Sequence, residues 1–528
     1  MDRIMENWNN TPSWHSIYKL SKEAVAKIKS IDELLPKKLY NVSNPAPLPT
    51  TESIYKGDFN VFESTKLTMD KVMEALKDEN IHVIGVYGMG GLGKTSLVTE
   101  VGKQVEKEKL FDKVVMAVVS QEPNLKEMQG QIADMLGLKF EEESVKGRAL
   151  RLSKRLEKVG SILVSLDDFW KKLDLGELGI PFDGNKHRMG CKILLTTRRQ
   201  DVCHAMKTQE DIPLSILSED DAWDLFRRNA GDVVENDALI KDVAKDVAKE
   251  CGGLPIAIVT VAGALRDKRD RQEWDYARRE LRLSEFQNIE DLDPKVRSCL
   301  KWSYDYLRDL EAQRLFLHCC LFPEDYLGID IDELIRYSFG VGLLKNVETI
   351  EDARYRTRRI VNKLKASSLL LQGWNEKFIK MHDVVRDVAI HIASSKGEHD
   401  ELFLVRGGNL EEWPTMESTA DYTAISLIYY RIKKLPNSLE FSKLRTLVLR
   451  RAYVQMEIPD TFFQGMRALR SLDMSFNDRL CILRSSIRWL TNLRTLNLQG
   501  CEDLEDISML GNLKGLCYTQ LKWMRIHT

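Results

Sequence analysis

A glycine-rich run at residues 88–95, Gly-Met-Gly-Gly-Leu-Gly-Lys-Thr, constrains this chain more than any other feature. It matches G-x-x-x-x-G-K-[ST] and follows an apolar stretch at 83–87. Beyond it, Leu97, Val98, Val101 and Val105 recur at helical spacing. Strand, tight turn and helix in that order are what a phosphate-cradling loop requires. Glycines let the backbone curl until its N–H groups converge on phosphate oxygens. The helix that follows turns its positive end to the same point. Lys94 reaches the β- and γ-phosphates, and Thr95 offers its hydroxyl to Mg²⁺. The expected binding shell is Gly88, Met89, Gly90, Gly91, Leu92, Gly93, Lys94, Thr95 and Ser96, around a purine nucleoside di- or triphosphate.

Two further stretches read as parts of the same site. Residues 162–168, Ile-Leu-Val-Ser-Leu-Asp-Asp, form an apolar run that ends in two carboxylates, interrupted only by Ser165. A strand that delivers acids beside a phosphate loop suits a magnesium-dependent nucleotide site. Asp167 is expected to hold Mg²⁺ together with Thr95. Asp168 is expected to orient or deprotonate an attacking water, as the catalytic residue. Residues 191–199, Cys-Lys-Ile-Leu-Leu-Thr-Thr-Arg-Arg, read as another strand. Its Arg198 stands at the carboxyl edge of the sheet, where it could read a γ-phosphate. By itself such an arginine reads first as a surface residue.

The organisation of the chain changes twice. Between about 55 and 215, short apolar runs at 83–87, 114–119, 162–166 and 193–196 alternate with helical stretches, which implies a parallel sheet covered by helices. From about 217 to 400 the pattern is mainly helical, with apolar stripes such as Val243, Ala244, Val247 and Ala248. From about 420, L-x-x-L-x-L recurs as Leu444/Leu447/Leu449, Leu469/Leu472/Met474 and Leu493/Leu496/Leu498. A weaker copy starts at Leu513, so the steps are 25, 24 and 20 residues. That period implies a leucine-rich-repeat solenoid with one short strand per unit. Asn477, Asn492 and Cys501 stand near the repeat turns. Near the start, Ile17, Leu20, Ala24, Ile28, Ile31 and Leu35 share one face of an amphipathic helix over 14–35, as suited to a neighbouring domain as to a partner helix. Prolines at 45, 47 and 49 then mark a linker.

Charge narrows the partners. The 78 basic and 80 acidic residues leave a net charge of −2, which supplies no general attraction for nucleic acid. The longest strongly apolar run, 254–265, is shorter than the ~20 residues a membrane helix needs, so no transmembrane segment is expected. Nine cysteines lack any C-x-x-C pair and nine histidines lack zinc spacing. Reduced thiols in a cytoplasmic protein are expected, with Cys319 and Cys320 in a core.

Strings further along complete a series. Gly252-Gly-Leu-Pro-Ile-Ala257, Cys320-Leu-Phe-Pro-Glu-Asp-Tyr326 and Met381-His-Asp383 follow the loop, the Asp-Asp strand and Thr196-Thr-Arg198, and the repeats come last. In this order the chain resembles the coiled-coil, nucleotide-binding, leucine-rich-repeat class of plant disease resistance proteins, over about residues 14–528. The resemblance implies a multidomain α/β plus α fold. Residues 1–40 would be the remnant of an N-terminal coiled-coil helix and 41–60 a linker. Residues 61–213 would form a P-loop NTPase domain with a parallel sheet, 214–298 a helical domain and 299–400 a winged helix. Residues 420–528 would form a short leucine-rich-repeat array.

The resemblance also implies roles that spacing does not supply. Pro255 would pack against adenine, although a proline that opens a helix needs no such role. His382 would contact the β-phosphate of ADP. Asp383 ahead of Val384, Val385 and Val388 also reads simply as a capped helix start. ADP would bridge the loop and His382 in a closed state, ATP would engage Arg198 instead, and slow hydrolysis would reset the switch. The expected partners are a pathogen effector or guarded host protein at the repeats, and further copies of the chain on activation. The short N-terminal helix, the short array and its basic end at 522–528 lead to the expectation of a chain truncated at both ends. The competing readings are a turnover enzyme such as a metabolic P-loop kinase or ATPase, although a kinase calls for an acceptor lid on one compact domain, and a slow P-loop ATPase or signalling regulator outside immunity.

Overall fold

The computed structural model describes residues 62–520 except 120–122, 184–185, 188–189, 284–292, 324–327, 396–400, 409, 417–420, 453, 455, 482–484, 505–509, 511–512 and 514. The expected N-terminal helix over 14–35, the linker over 41–60 and the basic end over 522–528 lie outside the described residues. Two compact units divide the chain after residue 397.

The first unit begins α1 (Glu63–Lys77), β1 (Val83–Tyr87), α2 (Lys94–Glu108), β2 (Lys113–Val118), α3 (Leu125–Met135) and α4 (Val145–Leu156). It continues β3 (Ile162–Phe169), β4 (Cys191–Thr197), α5 (Gln200–Met206) and β5 (Glu210–Pro213). All five strands run parallel in the order β2-β3-β4-β1-β5. Val83, Ile84, Val86, Leu163, Val164, Ile193, Leu194 and Leu195 have no solvent exposure. Such near-continuous apolar strands belong to a sheet buried on both faces. Four of the strands coincide with the apolar runs of the sequence. β5 does not, because Glu-Asp-Ile-Pro carries no apolar run. As an edge strand it faces solvent, which tolerates acids and a terminal proline. Since β3, β4 and β1 are neighbours, their carboxyl ends bring Asp167, Arg198 and Gly88 to one crevice.

The helical part follows as α6 (Glu219–Ala230), α7 (Ala238–Glu250), α8 (Pro255–Ala264) and α9 (Arg271–Leu283). The stripe Val243, Ala244, Val247 and Ala248 is buried, as its spacing predicts. α8 is apolar on every side and packs between α6 and the next helix, α10 (Pro294–Asp305). After α10 come α11 (Leu310–Cys319), β6 (Ile329–Asp330), α12 (Ile331–Val341), α13 (Ile350–Ala366), β7 (Leu371–Gln372), β8 (Phe378–Lys380) and α14 (Asp383–Ala393). The three short strands are antiparallel with β8 in the centre. Met381 and His382 therefore form the junction between β8 and α14. Cys319 and Cys320 are buried free thiols.

The second unit stacks β9 (Phe403–Gly407), β10 (Ala424–Ile428), β11 (Thr446–Arg450), β12 (Ser471–Asp473), β13 (Thr495–Asn497) and β14 (Tyr518–Gln520). They form one six-stranded parallel sheet in chain order. Leu444, Leu447, Leu449, Leu469, Leu472, Met474, Leu493, Leu496 and Leu498 form its continuous core. Asn477 Nδ2 donates to the carbonyls of Leu449 (2.8 Å) and Met474 (2.7 Å) and so ties adjacent turns together. β9 and β10 precede the first repeat legible in the sequence.

Candidate functional site

The loop after β1 takes its shape from its glycines. Gly91 and Gly93 have φ of +80° and +92°, the left-handed region that favours glycine. Gly93 is the N-cap of α2 and supplies no side-chain hydrogen bond, and the first turn carries no acid. By contrast, Asn124, Ser144, Ser218 and Asp237 cap α3, α4, α6 and α7 through their side chains. The N–H groups at the start of α2 are thus left to an anion, which suits a phosphate. Thr95 and Ser96 are exposed at this mouth, Met89 is exposed, and Leu92 is buried. Lys94 Nζ folds back onto the loop and donates to the carbonyls of Gly88 (2.6 Å) and Met89 (2.8 Å). Burial pushes its pKa down, against the pull of Asp383 and Asp168.

The two acids are held differently. Asp167 accepts from Thr95 Oγ1 (2.7 Å) and from Thr196 Oγ1 (2.5 Å). A hydroxyl and a carboxylate already paired in this way are a donor set that fits Mg²⁺. The β3–β4 register shifts between Leu166 and Phe169, and Asp168 has φ +62°. This bulge swings Asp168 out of the pleat. Its N–H donates to Thr196 Oγ1 (2.9 Å), and its Oδ2 accepts from Trp170 Nε1 (2.9 Å). Burial, followed by the charges of Asp383 and Asp167, raises its pKa to about 7. A carboxyl poised near neutrality can accept a proton from water.

Arg198 is not a surface residue. Its side chain is only 4% exposed and bonds Asp383 (2.6 Å) and Asp387 (3.2 Å), one turn apart on α14. Its Cζ lies 4.2 Å from the centroid of the Trp170 ring. The capped helix start is present, with His382 as the N-cap of α14 and Asp383 as its first residue. Val384 N–H lies 2.8 Å from Asp383 Oδ1 and 3.2 Å from His382 Nδ1. Burial works to lower the His382 pKa, but the adjacent Asp383, whose Oδ1 pairs with His382 Nδ1, outweighs it and raises the pKa. Burial opposes ionisation of Asp383 too, but His382 and Arg198 hold it well below the usual carboxylate range.

The loop is packed from two other segments. A Cβ on Gly91 would lie 2.3 Å from Ile256 Cγ2, and Ile256 N–H donates to Gly91 O (3.3 Å). A Cβ on Gly90 would lie 2.8 Å from Val384 Cγ2 and 3.4 Å from Arg198 Cζ. The structure thus gathers Lys94, Thr95, Asp167, Asp168 and Arg198 around the loop. Pro255 opens α8 and His382 caps α14, and their neighbours Ile256 and Val384 make these packing approaches to the loop.

The NB-ARC domain family matches residues 65–235. A probable disease resistance protein of Arabidopsis thaliana is 36% identical over 496 residues, 93% of this chain and 53% of the relative. The chain belongs to the NB-ARC disease resistance family. A second disease resistance protein of Arabidopsis thaliana is 36% identical over 452 residues, 84% of this chain and 45% of its own. The chain spans about half the length of the curated relatives it matches. Among solved structures, a signal transduction ATPase with a tetratricopeptide repeat sensor from Pyrococcus horikoshii aligns at 17% identity with TM-score 0.40, covering 66% of this chain and 45% of that one. The NB-ARC match takes in the loop, Asp167, Asp168 and Arg198, and ends before Pro255 and His382.

Reasoning from sequence missed several residues that shape this NB-ARC nucleotide-binding site: Thr196, Trp170, Ile256 and the acids Asp383 and Asp387 as partners of Arg198. One signal was available for the last two, since acids four residues apart share a helix face. Gly91→Ala should destabilise the first unit by about 1–3 kcal/mol, because it adds a Cβ at positive φ against Ile256. Thermal unfolding measures this, and a midpoint within about 1 °C of wild type would contradict the close approach.

Proposed function

We propose that this chain is the nucleotide-operated latch of an intracellular plant immune receptor. One observation carries the reading: Arg198, at the carboxyl edge of the sheet, is engaged by Asp383 and Asp387 beside His382. Its buried Nε has no hydrogen-bond partner among the described residues. Lys94 and the uncapped start of α2 hold the phosphates, Thr95 and Asp167 hold Mg²⁺, and Pro255 lines the adenine pocket. In the closed state His382 meets the β-phosphate of ADP while Arg198 stays with its acids. Bound ATP supplies a γ-phosphate charge that competes with those acids for the guanidinium. Arg198 then leaves Asp383 and Asp387 and frees α14. Asp168 would take the proton of a water that adds to the γ-phosphorus as the bond to the β–γ bridging oxygen breaks, so that phosphate and ADP are left and the latch returns slowly. A ligand moves such an equilibrium only through its differential affinity for the two states.

The remaining parts take their roles from this reading. Residues 299–400 act as a winged helix that carries His382. The parallel strands over 403–520 act as a leucine-rich-repeat solenoid that senses an effector or a guarded host protein. Activation leads to self-association, and we place the receptor in the cytoplasm. Among the described residues no helix is long and apolar enough to cross a membrane. The test is nucleotide content and single-turnover hydrolysis of the purified chain. Copurifying ADP and phosphate release far slower than ~1 s⁻¹ are expected; rapid multiple turnover would sink the latch in favour of an enzyme.

A further inference from the structure

Arg198 is held by two acids and the ring of Trp170. We propose that Trp170 is a positioning residue: its indole holds the Arg198 guanidinium in the direction of Asp383 and Asp387 and ties that direction to Asp168. The inference rests on the latch reading and adds to it a residue that tunes ADP against ATP.

The geometry is a relay of fixed groups. The Asp168 N–H is pinned by Thr196 Oγ1 at 2.9 Å, on the bulge at φ +62°. Its carboxylate accepts the indole N–H at 2.9 Å, which anchors the polar edge of the ring. The Arg198 Cζ then lies 4.2 Å from the ring centroid. Among the described residues Nε has no hydrogen-bond partner, and the guanidinium is held there by the two carboxylates at its far end and by the ring. A flat cation is attracted to an indole face and loses the freedom to rotate away from it. Core packing does not account for Trp170, because Phe169 beside it is 1% exposed and fills the interior while Trp170 is only half-buried. The indole uses its polar edge on one charged side chain and its face on another.

Two variants and two readouts test this. Trp170→Phe keeps a face and loses the N–H; Trp170→Leu loses both. Without nucleotide, thermal unfolding of Trp170→Leu, Asp383→Asn and the double variant forms a cycle. The double variant should fall short of the summed losses by at least about 2 °C, because both changes release the same guanidinium. Full additivity would overturn the role. With nucleotide, calorimetry should show the ATP-to-ADP affinity ratio rising about tenfold in Trp170→Leu and by less in Trp170→Phe. Trp170→Phe guards against misfolding of the leucine variant, and ratios within about twofold of wild type in both would also overturn it. Should the latch reading itself be wrong, wild type and Arg198→Ala would show the same ratio while the nucleotide-free coupling persisted. The two failures are therefore distinct.

Discussion

Lys94→Ala is expected to weaken ADP binding by about a hundredfold or more. Lys94 brings the only ammonium in the loop to the phosphate position, and hydrogen bonds to charged groups contribute about 1.5–3 kcal/mol each. Its surroundings strengthen the expectation. Nζ is already inside the loop, bonded to the Gly88 and Met89 carbonyls, and burial disfavours its charge. An incoming phosphate therefore meets a poorly solvated ammonium, which gains more from pairing than an exposed one would. The alanine variant should still fold, because in the nucleotide-free loop the cost of burying the ammonium offsets these two bonds. Calorimetric titration decides the matter: ADP affinity equal to wild type in a folded Lys94→Ala chain would refute the assignment of the loop.

The second large effect belongs to the contact between Arg198 and Asp383. Asp383→Val leaves a guanidinium that is 4% exposed with one carboxylate instead of two. Breaking a fully buried pair costs about 3–5 kcal/mol. Asp383 is 29% exposed and Asp387 remains, so about 2 kcal/mol is the better figure here. The variant also strips His382 of the carboxylate that stabilises its proton. ADP should dissociate roughly 10- to 100-fold faster, since both groups of the closed state lose their support. Asp387→Asn should do less, because its bond is longer at 3.2 Å and Asp387 is the more exposed acid, at 33%. Stopped-flow release of a fluorescent ADP analogue measures both variants. Wild-type release from Asp383→Val, or a larger effect from Asp387→Asn, would count against the latch.

Most of the α/β framework was legible because its signals are local. Four strands stood out as runs of Val, Ile and Leu that only a doubly covered sheet needs. The polar edge strand β5 was not legible, since Glu210 and Asp211 imitate a loop. Ser165 looked like a weak point in β3, yet it is buried within the strand at 1% exposure, paired between Met116 and Leu194. The repeats were legible from Leu444 onward. β9 and β10 were missed because they lack the spaced leucines.

The glycine loop, the acids at the end of β3 and the leucine period were determined by the sequence itself. Each depends on sterics or spacing within a few residues, or on a short repeating unit. What Arg198 touches was decided only by the tertiary structure. Arg198 and Asp383 are separated by 185 positions, and no period or motif relates them. Packing of α14 against α10 and α11 helps to place the acids that meet the sheet edge. A buried guanidinium must then find carboxylates there, because leaving it unpaired is the costliest alternative.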